Sequence, residues 1–169
     1  SICAGGGSSQ TQSGYTDGQG TAALFNNPQG LAVDQNDNVY VADTYNYAIR
    51  MITPQGLVST WAGTGTSGMT NGTRAQAEFG SPEGIAFGPD GSLYVADSAT
   101  NQIRMIAPDG QVSALAGTGY SGQADGVASN ATFINPTQIC TDSQGTVYVT
   151  ENDTNTVRMV SLPYEVTDS

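Results

Sequence analysis

"GIAFGPDGSLYVADSATNQIRMI", Gly84 to Ile106, has a near-copy on each side of it in the chain. The anchors Pro28, Pro82 and Pro136, Tyr40, Tyr94 and Tyr148, Arg50, Arg104 and Arg158, and Phe25, Phe79 and Phe133 all recur every 54 residues. The glycine pairs Gly63/Gly65 and Gly117/Gly119 keep that interval, with a looser copy in the "CAGGG" of Cys3 to Gly7. A fixed period of this size marks solenoids and propellers, where each repeat buries its apolar faces only against its neighbours. The fold question therefore reduces to one repeat.

Within that repeat, "GIAFG" (84–88), "SLYVAD" (92–97), "QIRMI" (102–106) and "VSALAG" (112–117) are short runs rich in Val, Ile, Leu and Tyr. They read as strands. "PDG" at 89–91, "SATN" at 98–101 and "PDG" at 108–110 are turn chemistry, since Pro presets φ, Gly supplies positive φ, and Asp and Asn bond back to the local backbone. Four strands on tight turns form an antiparallel meander, the blade of a β-propeller. The Gly/Ser/Thr/Asn segment from 63 to 81 then carries the chain from the outer strand of one blade to the inner strand of the next. No segment has a helical period of apolar residues, so the expectation is an all-β fold. It is one module over 1–169, with blades at roughly 5–60, 61–114 and 115–169 and the strand 1–6 completing another blade.

The pattern "AGTGxSG…DG…A.F..P.GIA…DG.LYVAD..N..IRMI.PDG.VSTLAG" runs through essentially the whole chain and resembles the NHL repeats. That resemblance implies a β-propeller, most often a closed ring of six blades with the "GIA" strand innermost and the "VSTLAG" strand outermost. Three repeats look like half of such a ring.

Four arginines, no lysine, no histidine and 15 acidic residues give a net charge of −11. Such a surface repels phosphate backbones, so the basic RNA-binding face of some NHL propellers has no counterpart here and no nucleic-acid partner is expected. Asp43/Arg50, Asp97/Arg104 and Glu151/Arg158 share a spacing of seven, across the hairpin between the second and third strands. They are expected to form one structural ion pair per blade. An amidating lyase similar to NHL proteins holds its metal with histidines, which this chain lacks; without His or Lys neither a Ser/His/Asp triad nor a Cys/His pair assembles. The "PDG" and "NDN" turns lack the spacing of a calcium loop. "GTGTSG" (63–68) and "GTGYSG" (117–122) lack the Lys and helix of a phosphate cradle. The expectation is a non-enzyme without cofactor or metal.

Three N-glycosylation sequons start at Asn71, Asn130 and Asn152, the first two in inter-blade loops and the third in a hairpin. The chain begins with Ser and has no apolar run near the ~20 residues of a membrane span, which together with the sequons suggests a secreted, extracellular glycoprotein without direct membrane insertion. Cys3 takes the place of Trp61 and Leu115 on an outer strand, and Cys140 the place of Ala32 and Ala86 on an inner strand. Two other strands would separate them within a blade, beyond the ~7 Å limit for a disulfide. Buried free thiols are expected, with a bond between molecules as the alternative. At the ends, Val166 aligns with Val58 and Val112, and Ser1 with Ser59 and Ser113. The reading is a structural and interaction module whose partner is a second copy. The amino-terminal strand of one molecule docks beside Val157 to Val160 of another, giving a closed six-bladed dimer or a glycan-coated fibre. The alternative is a ligand-binding or sensor propeller domain from a larger secreted or membrane-anchored protein.

Overall fold

The computed structural model describes residues 3–9 and 11–161. Its first sheet comprises β1 (Gly18–Gln19), β2 (Pro28–Val33), β3 (Val39–Asp43), β4 (Ala48–Ile52) and β5 (Leu57–Ala62), in the spatial order β1-β5-β4-β3-β2. The second repeats it with β6 (Gly72–Thr73), β7 (Pro82–Phe87), β8 (Leu93–Asp97), β9 (Gln102–Ile106) and β10 (Gln111–Ala116), ordered β6-β10-β9-β8-β7. The third contains β11 (Pro136–Thr141), β12 (Val147–Glu151) and β13 (Thr156–Val160). Pairing within all three sheets is antiparallel. The fold is therefore an all-β array of propeller blades. The linkers are more than carriers, because β1 and β6 arise in the segment that precedes each sheet and then pair with its outermost long strand. Val166 and the rest of the tail to Ser169 lie outside the described residues, as do Ser1 and Ile2.

Each meander, of four long strands in the first two sheets and three among the described residues of the third, follows from local chemistry. The long strands carry Val, Ile, Leu and Tyr, whose branched or aromatic side chains fit a pleated surface. Between the second and third strands the chain makes a short 3₁₀ turn, Thr44–Asn46 or Ser98–Thr100, and leaves it through a left-handed residue. That residue is Asn101 and Asn155 in two repeats, where a short polar side chain tolerates positive φ, and Tyr47 in the first. Among the described residues no helix is long and apolar enough to cross a membrane.

Alternation along each strand serves two interfaces at once, since successive side chains point to opposite faces. Tyr40, Ala42 and Ile49 of the first sheet pack with Phe79, Ile85, Leu93, Val95 and Ile106 of the second. Tyr94, Ala96 and Ile103 on the second sheet's other face pack with Phe133, Ile139, Val147, Val149 and Val160 of the third. The back of the first sheet, with Val41, Ile52 and Val58, is covered by Ala4, Ala23 and Phe25. The inner strands β2, β7 and β11 lie side by side. Their close approach depends on glycine: a Cβ on Gly84 would lie 2.5 Å from the Thr137 carbonyl oxygen and 2.7 Å from the Cα of Gln138, and a Cβ on Gly30 would run into the Glu83 carbonyl.

Gly84→Ala is expected to destabilise the fold by roughly 1–3 kcal/mol, because the obstructing atoms are backbone and cannot rotate away. Gln138→Ala, at the same repeat position but exposed, should stay within about 0.5 kcal/mol of wild type. Urea unfolding of the two variants measures the contrast.

Candidate protein-interaction site

One arginine per repeat, fully buried at Arg50 and Arg104 and partly exposed at Arg158, organises the surface that the sheets present. Arg50 donates from Nη1 to Asp43 Oδ2 at 2.7 Å and to the Leu24 carbonyl at 3.0 Å, and from Nη2 to the Thr16 carbonyl at 2.9 Å and Asp17 Oδ1 at 2.6 Å. Arg104 donates to the carbonyls of Glu78 and Thr70 and, at 2.9 Å, to Asn71 Oδ1, with Asp97 an ionic neighbour at 3.7 Å. Arg158 repeats the first arrangement with Glu151 at 3.1 Å and Asp125 at 2.6 Å, plus the carbonyls of Thr132 and Ala124. Each guanidinium also lies over a phenylalanine ring, Phe25, Phe79 or Phe133, with centroid distances of 5.1, 5.4 and 5.1 Å. The carboxylates are equally committed: Asp43 accepts from the Asn26 N–H at 2.7 Å, Asp97 from the N–H groups of Gly80 and Ser81, and Glu151 from the Ile134 N–H. The spacing of seven thus brings Asp or Glu and Arg together on a hairpin. Residue spacing alone does not show that the same arginine also reaches 33 or 34 residues back into the linker.

The second repeat differs electrostatically. Asn71 stands where the first and third repeats have Asp17 and Asp125, so Arg104 faces a single carboxylate. Burial pushes the Asp97 carboxyl up from its ordinary value, against the Ser81 and Gly80 N–H bonds and the Arg104 charge, and burial pushes Arg104 down. Asp17, Asp34 and Asp142 go the other way. Burial works to raise each of them, but their hydrogen bonds outweigh it, with Thr60 and Arg50 at Asp17, Asn38 and Asn36 at Asp34, and Thr146 and Gln144 at Asp142. Tyr40 is pushed up to about 12 by burial and by the neighbouring Asp34.

Two apolar patches stand uncovered among the described residues, the inner-strand part of the first sheet's back and the outer face of β13. On β2, Leu31 is 65% exposed, whereas its repeat mate Ile85 is 5% exposed against the first sheet. On β13, Val157 is 70% exposed, whereas Ile103 is fully buried against the third sheet. Val33 and Met159 extend the two apolar faces. Beside Met159 a cavity of about 730 Å³ runs between β13 and the Gly126–Val127 segment, floored by Ala131 and Phe133. Gly126 keeps the extended positive φ of Gly18 and Gly72, at 145° against 157° and 143°, and those two glycines open β1 and β6, which pair with β5 and β10. The groove therefore has the walls that enclose an outer strand in the other sheets.

The cysteines correct the expectation of burial. Both are free and exposed, because Cys140 lies on the uncovered face of β11 and Cys3 precedes the glycine-rich entry to the first sheet. Gly5 does occupy the place of Gly63 and Gly117: its N–H donates to the Gly20 carbonyl at 3.1 Å, as theirs do to Arg74 at 2.8 Å and Ala128 at 3.0 Å. Asn71, Asn130 and Asn152 are all exposed, and the Asn71 side chain is oriented by Arg104. Among the described residues no three His, Cys, Asp or Glu side chains gather as metal ligands would.

The NHL repeat profile matches residues 25–50 and 79–104. Two of the three repeats are thus matched as NHL repeats. The third repeat lies outside the matched stretches and departs from the other two with Gln138 for glycine, Cys140 and Thr150 for alanine, and Glu151 for aspartate. NHL repeat-containing protein 2 of Homo sapiens is 37% identical over 97 residues, covering 55% of this chain and 13% of that protein. Teneurin-3 of Mus musculus is 29% identical over 167 residues, 88% of this chain and 6% of that protein. A solved structure of a Bacteroides thetaiotaomicron protein of unknown function superposes with a TM-score of 0.70 at 30% identity, over 73% of this chain and 32% of that one. The NHL array thus spans only a small part of the length of these relatives.

Arg104→Met should cost about 3–5 kcal/mol, because it leaves Asp97 buried without its cation. Asn71→Asp supplies the missing second carboxylate and should stabilise by up to about 1 kcal/mol, less at high salt. Thermal melts at two ionic strengths test both. The stability contributed by Asp17, Asp34 and Asp142 is present above their ordinary value of 3.8 and is lost as pH falls through their lower folded values. An acid titration of the fold should therefore show its loss below pH 3.8.

Proposed function

We propose that this NHL array is a non-enzymatic interaction module whose partner is a second copy of itself, joined head to tail. The observation that carries the reading is the pair of exposed apolar faces, Leu31 and Val33 at one end and Val157 and Met159 at the other. The same repeat positions, Ile85 and Ile103, are buried at the two junctions inside the chain. What the sheets do to one another within the molecule, the end faces are built to do between molecules. The groove beside β13 is walled to receive an outer strand, and the amino-terminal segment matches such a strand: Ser1, Ala4 and Gly5 align with Ser59, Ala62 and Gly63. Docked there, it would pair with an open sheet edge. A charge of −11 without lysine does not fit nucleic-acid binding.

The proposed setting is extracellular. Asn71, Asn130 and Asn152 are exposed sequon asparagines, and a glycan on each would lie outside the buried faces. Cys3 and Cys140, both exposed, are available for bonds between molecules. The second reading, a ligand-binding or sensor propeller domain within a larger secreted or membrane-anchored protein, is favoured by one fact: the relatives are far longer than this chain. Further blades of such a protein would then cover the same two faces.

Deleting residues 1–6 should abolish concentration-dependent assembly in sedimentation velocity, and should also lower the melt, since Ala4 covers the first sheet and the Gly5 N–H bonds to the Gly20 carbonyl at 3.1 Å. Assembly unchanged by the deletion would remove strand exchange. Peptide masses of protein from a secreting eukaryotic host should show sugar at Asn71 and Asn130.

A further inference from the structure

We propose that Gln138 ends the close packing of inner strands, so that copies joined head to tail run on as an open filament instead of closing into a six-bladed ring. The inference rests on the self-assembly reading above and decides between its two forms.

The internal junctions exist at their present spacing only because one residue has no side chain. A Cβ at Gly84 would lie 2.5, 2.7 and 2.9 Å from the Thr137 carbonyl oxygen, the Gln138 Cα and the Ile139 nitrogen. At Gly30 the obstructing atoms are again backbone, belonging to Glu83, Gly84 and Ile85. Both glycines sit at the irregularity in pairing between the first two strands, and so does Gln138, between Pro136 and Ile139. The residue in the third repeat thus occupies the position where the next inner strand would press, and it carries a Cβ and a carboxamide.

A second feature of the same repeat fixes Gln138 in place. Where the first two sheets have Ala42 and Ala96, the third has Thr150, whose hydroxyl accepts from the Gln138 N–H at 3.1 Å and lies 3.1 Å from the Thr137 hydroxyl. The bulge is therefore tied to β12 from within its own sheet and has less freedom to retreat from an incoming strand. Ordinary contact begins at 3.4 Å, so relative to the 2.5 Å approach at Gly84 the Cβ alone holds the next inner strand back by roughly 1 Å, and the carboxamide by more.

Among the described residues the outer half of the contact carries no such obstruction, since Val157 and Met159 are exposed and the β13 groove is open. Holding the inner side apart while the outer side meets reduces the turn made at each junction between copies. A two-copy ring needs both junctions to make the full turn. A head-to-tail contact whose rotation falls short of closure propagates as a helix.

The test is sedimentation velocity with negative-stain microscopy on the full chain, its Gln138→Gly variant and its Gln138→Ala variant, each checked for folding by its melt. Wild type and Gln138→Ala, which keeps the Cβ, should give masses that climb continuously with concentration. Gln138→Gly should collect in a single two-copy species, with the filament fraction falling at least tenfold. A discrete two-copy ring for wild type would overturn the inference and leave head-to-tail assembly standing, as would a Gln138→Gly variant that polymerises like wild type. Wild type and Gln138→Gly both monomeric at every concentration would remove the assembly reading and this inference with it.

Discussion

The structure hangs on one guanidinium per sheet, fully buried at Arg50 and Arg104 and partly exposed at Arg158. Without Arg50, Arg104 and Arg158, three pieces of chain far apart in sequence would have no common anchor: the hairpin carrying the Asp or Glu, the linker that begins the repeat, and the loop that enters the inner strand. A buried charge is costly unless nearly all its donors are satisfied. Here the terminal nitrogens take carbonyls and carboxylates, and the flat face rests on a phenylalanine ring. The arrangement leaves little latitude, so the linker must follow the same path in each repeat.

That constancy of path makes the junctions alike. With linker and hairpin fixed to each other, each sheet presents one face built around Tyr40 and Ile49, or Tyr94 and Ile103, and an opposite face built around Val41 and Ile52, or Val95 and Ile106. The two faces complement each other, so each sheet packs on the next through the same kind of junction. The glycines set how near the inner strands come, and the third repeat has Gln138 at that position.

The third repeat shows how small departures accumulate. Glu for Asp keeps the arginine contact with a longer side chain, reaching at 3.1 Å where Asp43 reaches at 2.7 Å. Thr150 for Ala and Gln138 for Gly replace contact surface with groups that bond within the sheet or extend into solvent. A repeat can thus preserve its own fold while altering how it meets a neighbour, because the hydrogen bonds that define the meander lie in the sheet plane and the junction lies across it.

The 54-residue register, the four long strands of the first two meanders and the three described strands of the third, their turns and the Asp/Glu–Arg hairpin contacts were legible in the chain, since pairing between consecutive strands is local and announced by turn residues at fixed offsets. The exposure of Cys3 and Cys140 was not, because an apolar repeat position is buried only if a neighbouring sheet covers it, and coverage is a property of the array. Nor was the role of Asp17, Asn71 and Asp125, polar residues in a glycine-rich linker like many others until the fold lays them on an arginine 33 residues away. The sequence by itself determined what each repeat is, through periodicity and turn chemistry acting over a few residues. Only the tertiary structure decided which surfaces remain open and where a side chain obstructs, because those depend on backbones brought within a few ångströms by contacts a full repeat apart.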